Sequence, residues 1–173
     1  MSPEQAGVAA AIARLRGEMA DDRAAMARRR ADLDEALRRL RLEPADAAAL
    51  ALEAWALHGW YTALESLLER VARQLDAEVP AGERWHRELL AQATVEVPGV
   101  RPAVLPRTTR HALEELLAMR HFLRHAYGTD LDGRRLAAQA ERLRDASPAV
   151  EEALDSFDQF LVGALDAAQK GSR

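Results

Sequence analysis

The sequence predicts an all-α protein, an up-and-down bundle of about five to six helices, and two observations carry that prediction. Alanine and leucine supply most of a hydrophobic fraction of 49%, while aromatic residues make up only 5%, a composition that favours helix over sheet. Apolar residues also recur at steps of three, four and seven over long stretches, the period of one face of an α-helix. A chain of 173 residues is long enough to bury one core without staples. A single helical domain over residues 1–168 with a disordered tail at 169–173 is therefore expected. Cysteine is absent, so neither a disulfide framework nor a thiolate metal site is available.

Ser2-Pro3-Glu4-Gln5 opens the first helix: a capping hydroxyl, a proline at the first helical position and a Gln three residues after the cap. That helix is expected over about 3–41, with Val8, Ile12, Leu15, Met19, Met26, Leu33, Leu37 and Leu40 along one narrow seam. The run Arg28-Arg29-Arg30 reads as a solvated face with Asp32 and Asp34 as its partners. Leu42-Glu43-Pro44-Ala45-Asp46 breaks the pattern. A second helix, about Asp46 to Asp76, offers Leu50, Trp55, Leu57, Tyr61, Leu64, Leu68, Val71 and Leu75 for burial. Gly59 inside it predicts a close helix crossing or a local bend, because an interior glycine costs about 1 kcal/mol against alanine. His58 beside it is read as a packed residue without chemistry.

Val79-Pro80-Ala81-Gly82 ends the second helix, and Glu83 to Ala93 forms a short third. Residues 95–106 contain Pro98-Gly99, Pro102 and Pro106, too many breakers for a helix, so a loop with some extended pairing of its valines is expected. Thr108 or Thr109 caps a fourth helix that runs to about Tyr127, where Gly128 stops it. A fifth, from about Asp132 to Arg144, and a last one, started by Ser147-Pro148 and ending near Ala168, complete the chain.

The net charge of −4 argues against a broad basic surface that holds nucleic acid by counterion release alone, so any contact with RNA must be local. Met1-Ser2-Pro3-Glu4-Gln5 lacks the basic and apolar regions of a secretory leader, and no apolar run spans a bilayer. A soluble, cytoplasmic protein is expected.

One segment concentrates chemistry. Met119-Arg120-His121-Phe122-Leu123-Arg124-His125-Ala126-Tyr127-Gly128 carries two arginines, two histidines and a tyrosine at the end of a helix. At about 100° per residue Arg120 and Arg124 share one side and His121 and His125 another, a polar ridge beside the apolar stripe of Met119 and Phe122. Three readings of this ridge stand. His121 and His125 have the spacing of two metal ligands on one face, but a third ligand and the Glu of a His-Glu-x-x-His helix are missing, and the flanking arginines oppose a cation. Arg and His at a helix C-terminus also stabilise the helix dipole with no further role. Alternatively, an imidazole moves the proton of a 2′-hydroxyl or leaving oxygen while a guanidinium steadies the charged phosphorane, which is metal-free cleavage of RNA. Chemistry alone leaves the last two level.

Arg120, four intervening residues, His125, one residue and Tyr127 together resemble the Arg-x4-His-x-Tyr motif of HepT-like members of the HEPN superfamily. The stretches Leu57 to Glu65, Gly82 to Leu90 and Gly128 to Asp132 look like the same family, so the likeness runs from the first helix to about residue 165. One departure stands out: family members often carry Gly-Phe before Arg-Asn, whereas Ala118-Met119 precede Arg120-His121.

The resemblance implies a HEPN-type bundle and a metal-independent endoribonuclease toxin that needs no cofactor. Arg120 and His125 would be its catalytic pair, with His121 and Arg124 accessory. It also implies a minimal nucleotidyltransferase (MNT-type) antitoxin as partner, able to attach AMP to Tyr127, and a homodimer with a composite active site. The alternative is a non-catalytic HEPN module that binds a nucleotide or a partner and uses the ridge for docking.

Overall fold

The computed structural model describes residues 2–76, 78–125 and 131–170, of which 121–125 are described by their backbone alone. Five α-helices order the chain: α1 (Pro3–Leu42), α2 (Ala47–Leu75), α3 (Trp85–Ala93), α4 (Arg110–His125) and α5 (Gly133–Lys170), with one 3-10 turn at Arg107–Thr109 before α4. The all-α prediction holds.

α1 starts as its sequence dictates. Ser2 Oγ accepts from the Gln5 backbone N–H, and Gln5 reaches back to the backbone N–H of Ser2, so two orphan donors of the first turn are satisfied reciprocally. Asp46 caps α2 by accepting from Ala49 N at 2.9 Å, and Arg39 holds the same carboxylate at 2.6 Å across the turn. α1 and α2 are antiparallel: Arg29 meets Gly59, while farther back Asp22 pairs with Arg70. α5 returns along α1 the opposite way, with Arg16 on Asp158 and Arg30 on Ser147. Between them Leu15, Met19, Met26 and Leu33 of α1 and Leu57, Trp60, Leu64 and Leu67 of α2 join Leu113, Leu117, Leu143, Leu154 and Phe157 in one core.

Gly59 faces the Arg29 side chain of α1. A Cβ there would lie 2.6 Å from Arg29 Cδ, so the side chain of α1 fills the space glycine leaves. Of the Arg28–Arg30 run only Arg28 is a solvated residue; Arg29 and Arg30 keep their partners Asp32 and Asp34 but are half-buried against α2 and α5.

Three expectations need correction. Trp55 is not in the core: it is 59% exposed, and Arg29 lies over its ring at 5.5 Å, a cation–π contact on the surface. Val8 is likewise exposed. Ser147-Pro148 does not start a new helix, because α5 continues straight through Pro148. Proline removes the N–H that would reach the Arg144 carbonyl; the Ser147 hydroxyl donates to that carbonyl instead, at 3.4 Å, while Ala146 and Val150 stay buried on either side. Local capping signals are satisfied without a break once tertiary packing continues past them.

The 95–106 loop is fastened. Val97 bridges Arg101 around Gly99, whose φ of +74° suits glycine alone. Arg101, 4% exposed, grips Asp76 with two donors at 2.6 and 2.7 Å and spends a third on the Val95 and Pro102 carbonyls. Val104 and Leu105 are buried, and both their backbone N–H groups donate to the Ala93 carbonyl.

Candidate functional site

α4 is amphipathic: Leu113, Leu116, Leu117 and Met119 are buried. Arg120 follows them inward. The sequence reading puts it on a polar ridge beside the apolar stripe; it is in fact only 8% exposed and held by two side chains of α2. Its Nη2 donates to Glu65 Oε2 at 2.9 Å, and its Nε donates to Thr62 Oγ1 at 3.3 Å. Thr62 gives its own proton to the His58 carbonyl, one turn back, at 2.8 Å, which leaves its lone pairs for the guanidinium.

Glu65 has a second partner. The Nδ1 of His86, in the first turn of α3, is hydrogen-bonded to Glu65 Oε1; a carboxylate only accepts, so the imidazole donates. The Trp85 ring stacks on that imidazole, centroids 3.8 Å apart. Tyr61, one turn before Glu65, lies beside the pair; burial first, and then the Glu65 charge, push its phenol well above the ordinary tyrosine range, against the opposing pull of Arg120.

The arrangement is a buried arginine whose position is set by a carboxylate that is itself set by a histidine. One set of donors remains: Arg120 Nη1 is buried and has no hydrogen-bond acceptor among the described residues. A buried donor left unmade costs about 1–3 kcal/mol, and an incoming phosphate oxygen would relieve that cost.

The backbone of α4 runs on through His121, Arg124 and His125, so these three share the helix end with Arg120 as expected. Their side chains, and Tyr127 and Gly128 entirely, lie outside the described residues.

Among known proteins, the profile of the HepT-like protein family matches residues 51–161, more than half of the chain. The chain belongs to the HepT-like family. No curated protein and no solved structure matches it. The matched stretch of this HepT-like chain holds α3, α4 and nearly all of α2, and so contains Thr62, Glu65, His86 and Arg120 together.

Glu65 and His86 went unassigned in the sequence reading, although their signal was there. Glu65 stands four residues after Tyr61 and one after Leu64, on the stripe that α2 buries. A carboxylate on such a stripe needs a buried cation or donor, since an isolated buried charge is too costly to keep. Glu53 breaks the same stripe, four residues before Leu57, and it too is buried. Unlike Glu65, it is not paired with any described residue.

The 95–106 loop lies away from this site. Its anchor Asp76 follows Glu65 by eleven positions, roughly 16 Å along a helix, so the loop is no cover for Arg120. Among the described residues no helix is long and apolar enough to cross a membrane.

Proposed function

We propose that this HepT-like chain is the toxin of a toxin–antitoxin pair and cleaves RNA without a metal. The observation that carries the reading is the buried Arg120, fixed by Glu65 and Thr62 with Nη1 unspent, five residues before His125 in the helix that matches the family motif. In this reading Arg120 binds the scissile phosphate and stabilises the charge that develops on it. His125 moves the proton of the attacking 2′-hydroxyl or of the leaving oxygen, and His121 and Arg124 orient the strand. Glu65 and His86 are positioning residues: Glu65 holds the guanidinium and His86 holds Glu65, so that Arg120 meets the phosphate in one orientation.

Arg120 and His125 stand about 140° apart on one helix, so two such helix ends meeting across a two-fold axis form a cleft that one end does not. A homodimer with a composite site follows. The partner is a minimal nucleotidyltransferase that neutralises the toxin, and Tyr127 is its target for AMP; a phosphate there would be held by the arginines and would occupy the place of the RNA phosphate.

Growth on expression tests the pair. Wild type should arrest growth, His125→Ala should not, and co-expression of a cognate minimal nucleotidyltransferase should restore growth with AMP found on the Tyr127 peptide. Arrest by His125→Ala as strong as that by wild type would refute the nuclease reading. The alternative, a non-catalytic module that docks a nucleotide or a partner, would leave growth unaffected by either chain.

A further inference from the structure

Glu53 is the least explained group in the molecule. It is 0% exposed, and among the described residues neither carboxylate oxygen has a hydrogen-bond donor. Burying a carboxylate without a donor is costly, and a stripe of leucines could have been continued at this position without that cost.

The surroundings say what would satisfy it. Glu53 lies in the wall of a cavity of about 560 Å³ between the end of α1, the start of α2 and the start of α5, within the size range of small-molecule sites. Leu37, Leu40 and Leu50 give it apolar sides, and Arg41 and Arg134 stand at its exposed margin. Neither arginine is in an ion pair with a described residue. The other carboxylate of the cavity, Asp132, is already used: its Oδ1 accepts from the backbone N–H groups of Arg134 and Arg135 at 3.0 and 3.3 Å.

The cavity thus asks for a ligand with three parts: paired N–H donors for a buried carboxylate, a flat apolar body between leucines, and an anion for two arginines. A guanidinium or an amine supplies the first but is opposed by the arginines. A guanine nucleotide supplies all three, because N1–H and the N2 amino group donate side by side to the two oxygens of a carboxylate, and the phosphate meets Arg41 and Arg134. Adenine and cytosine offer a single amino donor beside an acceptor, which a carboxylate does not satisfy.

We infer that the cavity lined by Glu53 is a guanine-binding site, separate from the Arg120 cluster. Its occupant is either a free guanine nucleotide or a guanine within an RNA strand. The inference does not rest on cleavage: GMP has no phosphodiester linkage to cut, so failure to bind it would leave the proposed nuclease untouched, and an inactive nuclease could still bind it.

Calorimetric titration of the full chain with GMP, AMP, CMP and arginine amide at mildly alkaline pH tests it. GMP should bind about tenfold or more tighter than the others, the discrimination expected of a paired hydrogen-bond contact. Glu53→Gln should erase that preference while keeping its helical circular dichroism. The double variant Arg41→Ala and Arg134→Ala, changed only at exposed positions, should weaken GMP binding and leave guanosine binding nearly unchanged. A cleavage-resistant 2′-O-methyl RNA containing guanine identifies the source: displacement of GMP supports the strand as occupant, and failure to displace it supports the free nucleotide. No saturable GMP binding, equal binding of GMP and AMP, tighter binding of arginine amide, or unaltered GMP binding in Glu53→Gln would each overturn the inference.

Discussion

At the residue scale, Arg120 and Glu53 are two ways of burying an ionisable group: Arg120 has partners, and Glu53 has none among the described residues. Arg120 and Glu65 hold each other at 2.9 Å with little exposure, so removing one partner strands the other. Arg120→Ala should therefore lower stability by about 3–5 kcal/mol, seen as a drop in melting temperature on the order of 10 °C. Loss of activity in that variant would be ambiguous. Arg120→Lys keeps the charge beside Glu65 and loses the planar fork; it should melt closer to wild type and still lose cleavage, which separates fold from chemistry.

Glu53 predicts the opposite sign. Burial pushes its carboxyl from the ordinary 4.5 up to about 7. Below pH 4.5 folded and unfolded chains both carry the proton, and the group costs nothing. As pH rises towards 7 the unfolded chain ionises first, so this group takes away stability, by about 3 kcal/mol once both forms are ionised. The other charged groups around the cavity, Arg41, Asp132 and Arg134, are exposed and screened by water. Denaturant melts of Glu53→Gln should therefore show a flatter pH dependence than wild type and greater stability at alkaline pH. A variant less stable than wild type there would mean that Glu53 has a structural partner.

At the element scale, the helices were legible where the period of the apolar residues sets them, and less so where a local signal competes with packing. Ser2 caps α1 as its sequence says, because no packing competes with it on that exposed turn, and Asp46 caps α2 with Arg39 on the same carboxylate. Ser147-Pro148 carries an equally good start signal, but buried neighbours on both sides keep the helix unbroken, and one hydroxyl replaces the lost backbone donor. Trp55 was misjudged because large size stands for burial in a periodicity argument, while Arg29 offers the ring a surface contact instead.

The loop at 95–106 shows the reverse: its prolines and glycine announce irregular backbone, yet nothing in its spacing reveals that Arg101 ties it to the end of α2. Arg101→Ala should cost about 3–5 kcal/mol by stranding Asp76. Because the loop stands apart from Arg120, the activity of each folded molecule should be unchanged. A large loss of cleavage at unaltered stability would bring the loop into the site.

At the scale of the whole molecule, the sequence showed the helical class and the helix that carries the motif, since both are written in contiguous residues. It did not show the setting of Arg120, which is assembled from α2, α3 and α4 across more than fifty positions of chain. A composite site in a homodimer makes a quantitative prediction from subunit statistics. Arg120→Lys and His125→Ala chains, each inactive alone, should on mixing and reassembly recover about a quarter of wild-type activity, because half the dimers are mixed and each has one intact cleft. No recovery, with mixed dimers demonstrated by mass, would place both residues of a site on one chain.

Cleavage of a defined RNA by the purified chain in excess EDTA, beside a DNA of the same sequence, tests the central claim most directly. Wild type should cut the RNA at an undiminished rate and leave the DNA intact, since the proposed mechanism makes the 2′-hydroxyl the nucleophile and uses no metal, and His125→Ala should abolish the cutting with the fold retained. Cleavage that stops on adding EDTA, cuts DNA equally, or persists in His125→Ala would contradict it.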